Sequence, residues 1–182
     1  MGALLVVSSL LGCSSSGARS ARAVTRCRIS QLVVSLGPYV SEATEQHTLA
    51  LRLVNRGKHA CTLYAYPRVT LYDAHGLIPF RIGHGGDQMI PLRPPKPVGL
   101  EPGREAFLLL NKNTCVNGSL RGATMIKIST PRVAGTGAAL FRFPRRMAFP
   151  WRVPDSCTDA ADLGSIITVS SFVPTLRAAL SG

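Results

Sequence analysis

Apolar and polar residues alternate in short bursts along most of this chain, and glycine or proline closes nearly every burst. Leu32, Val34 and Leu36 alternate with Val33 and Ser35, which predicts a strand ended by Gly37-Pro38. Leu49, Leu51 and Leu53 alternate with Ala50, Arg52 and Val54, predicting a second strand with one polar face. The stretch from Leu53 to Gly76 organises the middle of the chain. Asn55-Arg56-Gly57-Lys58 is a turn, since Asn and Gly accept backbone angles that other residues resist. Cys61, Leu63 and Tyr64 then read as strand, Pro67 marks an edge or boundary, and Val69, Leu71 and Tyr72 resume the strand before the turn Asp73-Ala74-His75-Gly76. This unit is expected to be a central hairpin.

Leu77 to Ile82 predicts a further strand. Residues 83–99 hold Pro91, Pro94, Pro95 and Pro97 and read as a long surface loop of polyproline character, the kind of loop that is usually functional or mobile. Leu100-Glu101-Pro102-Gly103 is a turn, Ala106 to Leu110 a buried strand, Thr124 to Ser129 another strand, and Ser165 to Val173 the closing strand, stopped by Pro174. Leu176 to Leu180 predict a frayed turn of helix. The sequence shows no internal repeat and no long amphipathic helix.

Short strands separated by Gly/Pro turns every ten residues or so indicate an all-β chain, here an immunoglobulin-like antiparallel β-sandwich. Thirteen prolines and 17 glycines agree with many turns, and an aromatic content of 6% leaves the core to aliphatic side chains. The single tryptophan, Trp151, lies too late to pack on a bridge as in true immunoglobulin domains, so the expectation covers architecture only.

Residues 1–13, MGALLVVSSLLGC, form an uncharged apolar run too short to span a bilayer. The run ends in Leu10-Leu11-Gly12-Cys13 and resembles a bacterial lipoprotein signal, with Cys13 taking the lipid. A basic leading region is absent, and the true start is expected upstream of Met1. Residues 14–26 have linker composition, residues 27–176 are the expected β domain, and residues 177–182 a tail. Cys27, Cys61, Cys115 and Cys157 are even in number and too dispersed for a CxxC zinc or redox motif. They suit two disulfides in an oxidising compartment.

These pieces together resemble an actinobacterial secreted family, domain of unknown function 4232, whose members are often lipoproteins. The resemblance is carried by Cys27 with Leu32-Val33-Val34-Ser35-Leu36-Gly37, by Val54-Asn55-Arg56-Gly57, and by Cys61-Thr62-Leu63-Tyr64-Ala65-Tyr66-Pro67. Val69-Thr70-Leu71, Asp73-Ala74-His75-Gly76, Leu100-Glu101-Pro102-Gly103, Ala106-Phe107-Leu108 and Ser171-Phe172-Val173-Pro174 extend it to residue 174. Ala65 departs from it, at a place where glycine is expected. The resemblance implies a secreted β domain with Cys115 and Cys157 as the second cysteine pair, and it supplies no catalytic residues. Of three possible connectivities, Cys27–Cys61 with Cys115–Cys157 is the expected one, joining the first strand to the central unit and a later region to the closing segment.

Charge adds one more element. The net charge is +12 with pI near 10.4, and all charged residues follow Cys13. Such a field attracts polyanions. Arg142, Arg145, Arg146 and Arg152, interleaved with Phe143, Phe149 and Trp151, form the candidate anion-binding patch. An extracytoplasmic address favours an anionic membrane, an envelope polymer or an envelope protein over nucleic acid.

Candidate chemistry is sparse. Asp73-x-His75 and His84 near Asp87 could lie beside a metal, but spacing does not provide three ligands with an outer shell. His84-Gly85-Gly86 is similar to an oxyanion loop, yet no G-x-S-x-G nucleophile turn accompanies it. The expectation is a non-catalytic, membrane-anchored envelope domain without cofactor or metal. The alternative is a secreted metal-dependent hydrolase using His75, His84 and Asp87.

Overall fold

A computed structural model describes residues 25–41, 43–114, 123–130, 137–143 and 163–180. After a 3-10 turn at Ile29–Gln31, the strands run β1 (Leu32–Leu36), β2 (Gln46–Asn55), β3 (Cys61–Leu63), β4 (Arg68–Asp73), β5 (Gly76–Ile78) and β6 (Arg81–Gly83). Then come β7 (Val98–Leu100), β8 (Glu105–Asn113), β9 (Met125–Ser129), β10 (Ala138–Arg142) and β11 (Ile166–Val169), followed by one short helix, α1 (Leu176–Leu180). The fold is all-β. Five strands pair in the order β1-β2-β8-β11-β6, four in the order β10-β9-β4-β5, and β3 pairs with β7. Every named ladder is antiparallel except that of β11 with β6.

The alternation read from the sequence sets which side chains meet. Leu49, Leu51 and Leu53 of β2, Ala106, Leu108 and Leu110 of β8, and Ile167 and Val169 of β11 point into one core. Val69 and Leu71 of β4, Ile126 and Ile128 of β9, Ile78 of β5 and Ala139 of β10 supply its other side. The longest ladder is the nine-pair register of β2 with β8, from Gln46↔Asn113 to Val54↔Glu105.

The opposite face of that ladder is not uniformly polar. Ala50 and Leu109 are buried there in a second cluster with Val40, Met89, Ile90 and Ala179, and Leu176 and Leu180 of α1 pack against it. This explains why β8 reads as a continuous apolar run: both of its faces are covered. The C-terminal turn of helix therefore docks on the sheet, with Ala179 buried.

The central hairpin expected from Cys61 to Tyr72 does not form. β3 pairs with β7, with Cys61 opposite Leu100 and Leu63 opposite Val98, whereas β4 joins β5 and β9 in the other sheet. The residues between them redirect the chain. Ala65 has φ +89°, and Pro67 is buried and has no amide to give to a ladder. Val98–Leu100, expected to be loop and turn, is strand because Val98 and Leu100 are buried beside β3. The run Leu77 to Ile82 likewise divides at Pro79 into β5 and β6, one in each sheet.

Cys27 and Cys61 are joined by a disulfide, S–S 2.05 Å, and both are buried. Cys115 and Cys157 lie outside the described residues. Beside the bridge Asn55, fully buried, uses both ends of its amide. Its Nδ2 donates to the carbonyls of His59 and Leu100, each at 3.0 Å, and its Oδ1 accepts the Gly57 amide at 2.8 Å. Gln31 Nε2 also donates to Asn55 Oδ1 at 3.5 Å and to Cys61 Sγ at 3.3 Å. The Asn-Arg-Gly turn is thus a clamp between β2, β3 and β7.

Candidate functional site

The candidate residues fall on two surfaces. The first is the loop from His84 to Pro97. Its shape comes from Gly85 and Asp87. Gly85 has φ +70°, and a Cβ there would sit 2.7 Å from the Pro91 carbonyl oxygen, so a side chain is excluded. Asp87 Oδ1 accepts the amides of Met89 (2.8 Å) and Ile90 (2.6 Å), and its Oδ2 accepts Asn111 Nδ2 at 2.9 Å. Asn111 is itself held from both sides: its Nδ2 donates to Gln46 Oε1 at 2.6 Å and its Oδ1 accepts Thr48 Oγ1 at 2.8 Å. Buried polar groups are stabilising when each finds a partner, and here they fasten the loop to β2 and β8. Farther along, Tyr66 donates its hydroxyl hydrogen to the Arg93 carbonyl, and its ring stacks on His84 with centroids 4.4 Å apart. The hollow between this loop and α1, lined by Tyr66, Ile90, Arg93, Ser170 and Ala178, has a volume of only about 20 Å³, room for about one water.

The hydrolase alternative names three residues, and they fall in two turns, His75 between β4 and β5 and His84 with Asp87 after β6. His75 is exposed in the turn between β4 and β5, where its amide donates to Asp73 Oδ1 at 2.7 Å. His84 lies on Tyr66, and both oxygens of Asp87 are engaged in the loop clamp. Among the described residues no group of three or more His, Cys, Asp or Glu is arranged to share a metal ion.

The second surface is the outer face of the four-stranded sheet. Register decides its composition. Ala138 and Arg68 flank Ser129; Leu140 and Thr70 flank Lys127; Arg142 and Tyr72 flank Met125, with Leu77 beyond Tyr72. Arg142, Lys127 and Arg68 therefore fall on one diagonal across β10, β9 and β4. Diagonal neighbours on a sheet stand about 7–8 Å apart, so the three cations form a continuous stripe. Met125, Tyr72 and Leu77 lie along one side of it, and Leu140 on the other. Leu77 is 58% exposed and Leu140 59%. No carboxylate occupies an outward position on these strands.

Of the arginine patch read from the sequence, Arg142 is exposed at the end of β10. Arg145, Arg146 and Arg152 lie outside the described residues, as does Cys13. Arg68 and Lys127 escape a reading of the sequence because they are 59 positions apart and only strand pairing brings them together. The outward alternation Met125/Lys127/Ser129 is the one signal that could locate Lys127.

A family model described as a domain of unknown function, DUF4232, matches residues 27–171. The chain belongs to that family. No curated protein and no solved structure matches the chain. The DUF4232 match begins at the bridging Cys27 and encloses both the Asn55 clamp and the whole basic sheet face. Ala65, at a place where glycine is expected, occupies a positive-φ position in this DUF4232 domain, and the geometry accounts for that expectation.

Proposed function

We propose that this DUF4232 domain is a non-catalytic module of the cell envelope, anchored to the membrane through lipidated Cys13, which binds an anionic envelope component. The observation that carries this reading is the acid-free face with Arg142, Lys127 and Arg68 in line, on a chain of net charge +12. The buried Cys27–Cys61 bridge supports an extracytoplasmic address, because structural disulfides persist in oxidising compartments. The apolar run ending in Leu-Leu-Gly-Cys and the serine linker support the anchor. Among the described residues no helix is long and apolar enough to cross a membrane. A core shared between a five-stranded and a four-stranded sheet supports an immunoglobulin-like sandwich, with the parallel β11–β6 pair as a local variation.

Two measurements test the function. Expressed behind a functional export signal, the chain should partition into the detergent phase and Cys13→Ala should not; unchanged partitioning of the variant refutes the anchor. The unaltered chain should bind anionic vesicles or polyphosphate better than neutral vesicles, with the preference falling as salt rises. Equal binding to anionic and neutral vesicles, with no binding to polyphosphate, refutes the anionic target.

A further inference from the structure

We propose that the outer face of β10-β9-β4-β5 is the surface on which the domain lies against an anionic lipid bilayer. The inference rests on the envelope reading above and names both its partner and its contact surface. Three observations carry it. First, the two sheets differ in what covers them. The five-stranded sheet carries α1 and the Met89–Ile90 segment on its outer side, whereas the outer side of the four-stranded sheet leaves Leu77 and Leu140 exposed. Second, the charge is complementary to lipid headgroups. Arg68, Lys127 and Arg142 run diagonally across three strands, and no outward residue of the sheet is acidic.

Third, the apolar residues select lipid over a hydrated polyanion. Leu77 and Leu140 expose more than half of their surface, and Met125 and Tyr72 lie half-buried along one side of the cation diagonal. A solvated polymer has no use for exposed leucines. A bilayer takes apolar side chains to the level where headgroups meet acyl chains while cations stay among the headgroups, and a tyrosine suits the same boundary. With a tether at Cys13 the domain is already close to the membrane, so a weak contact is made repeatedly.

The test compares three charge-neutralising pairs in the full chain, with the N-terminal segment common to all. Arg68→Gln/Lys127→Gln alters the face. Arg56→Gln/Lys58→Gln removes two exposed cations from the β2–β3 turn, and Arg145→Gln/Arg146→Gln removes two from the arginine-rich segment. Each is measured by co-sedimentation at physiological ionic strength with phosphatidylglycerol-containing and pure phosphatidylcholine vesicles. The ratio of the two partition constants cancels the contribution of the N-terminal segment. A cation near an anionic surface contributes about fivefold in binding, so the face pair is expected to lower the ratio by roughly 25-fold and the other two pairs by less than about fivefold. Equal losses in all three pairs, or a loss confined to the Arg145/Arg146 pair, overturn the inference while leaving the anionic target in place. Leu77→Ser/Leu140→Ser separates the two sources of anion: it should weaken binding to anionic vesicles and leave polyphosphate binding unchanged. Retained vesicle binding in that variant overturns the lipid assignment. Should the face pair fail to fold by circular dichroism, Leu140→Trp in a Trp151→Phe background takes its place. Its emission should shift to the blue on anionic vesicles, and an unshifted spectrum overturns the inference.

Discussion

Asn55→Ala is the substitution with the largest consequence relative to its size. Asn55 is completely buried and sits where β2 ends, and its amide reaches β7 through the Leu100 carbonyl and the β2–β3 turn through His59 and Gly57. Alanine removes all of these bonds. The bond to Leu100 is buried, so its carbonyl loses its amide partner away from water, at about 1–3 kcal/mol. The bonds to His59 and Gly57 are partly exposed and contribute about 1 kcal/mol each, since water can replace the lost partner. The total is roughly 3–5 kcal/mol, a large part of the 5–15 kcal/mol that holds a typical domain. Urea denaturation of the oxidised protein should show the midpoint falling by about 1.5–2.5 M at unchanged slope, for a slope near 2 kcal/mol/M. Asn55→Asp sharpens the test. It keeps an oxygen for Gly57 but turns the other toward two carbonyl oxygens, which disfavours the ionised form and raises the folded-state pKa. The variant should be least destabilised below the unfolded carboxyl value of about 3.9, and lose stability relative to the parent as pH rises from there until the folded-state pKa is passed. A loss below 1 kcal/mol in Asn55→Ala, or a pH-independent deficit in Asn55→Asp, would refute the clamp.

Other contacts yield further outcomes. Replacing Cys27 and Cys61 by alanine opens a cross-link spanning 34 residues and should cost about 3–4 kcal/mol in the same urea assay; a loss under 1 kcal/mol would contradict it. Ala65→Gly relieves a positive φ that costs a residue with a side chain about 1–3 kcal/mol, less about 0.4–1 kcal/mol for the freer unfolded chain. A net gain of about 1 kcal/mol within that range should raise the melting temperature by about 2–4 °C, and a fall would show that the Ala65 methyl contributes packing instead. Asp87→Ala should raise amide hydrogen exchange at Met89 and Ile90 while leaving β2 and β8 protected; unchanged exchange there would remove Asp87 from its role as loop fastener.

Sequence periodicity locates the strands well where one residue in two is buried. β4 and β9 carry that signal, whereas β8 is found as a continuous apolar run covered on both faces. Periodicity fails where an element is too short to show a period, as in Val98–Leu100, and where the decision lies between distant partners. Nothing local in Cys61–Leu63 says that it pairs with a strand 37 residues later instead of with its neighbour. The same limit hides the basic face. Arg142 draws attention because arginines cluster around it in sequence, whereas Arg68 and Lys127 are isolated in sequence and adjacent only through register. The His75, His84 and Asp87 set shows the converse. Those residues are suggestive as letters, but Asp87 is engaged with Met89, Ile90 and Asn111.

The position of the Cys27–Cys61 bridge also governs how the domain carries mechanical load. A pull on the residues preceding Cys27 does not reach β1 along the backbone. It crosses the sulfur–sulfur bond to Cys61 and enters the fold at β3, beside β7. Residues 27–61, with the whole of β1 and β2, lie inside the covalent loop and outside the path of the force. A domain built in this way is protected from being peeled strand by strand when it is pulled from the side of Cys27, and reduction of a single bond would remove that protection.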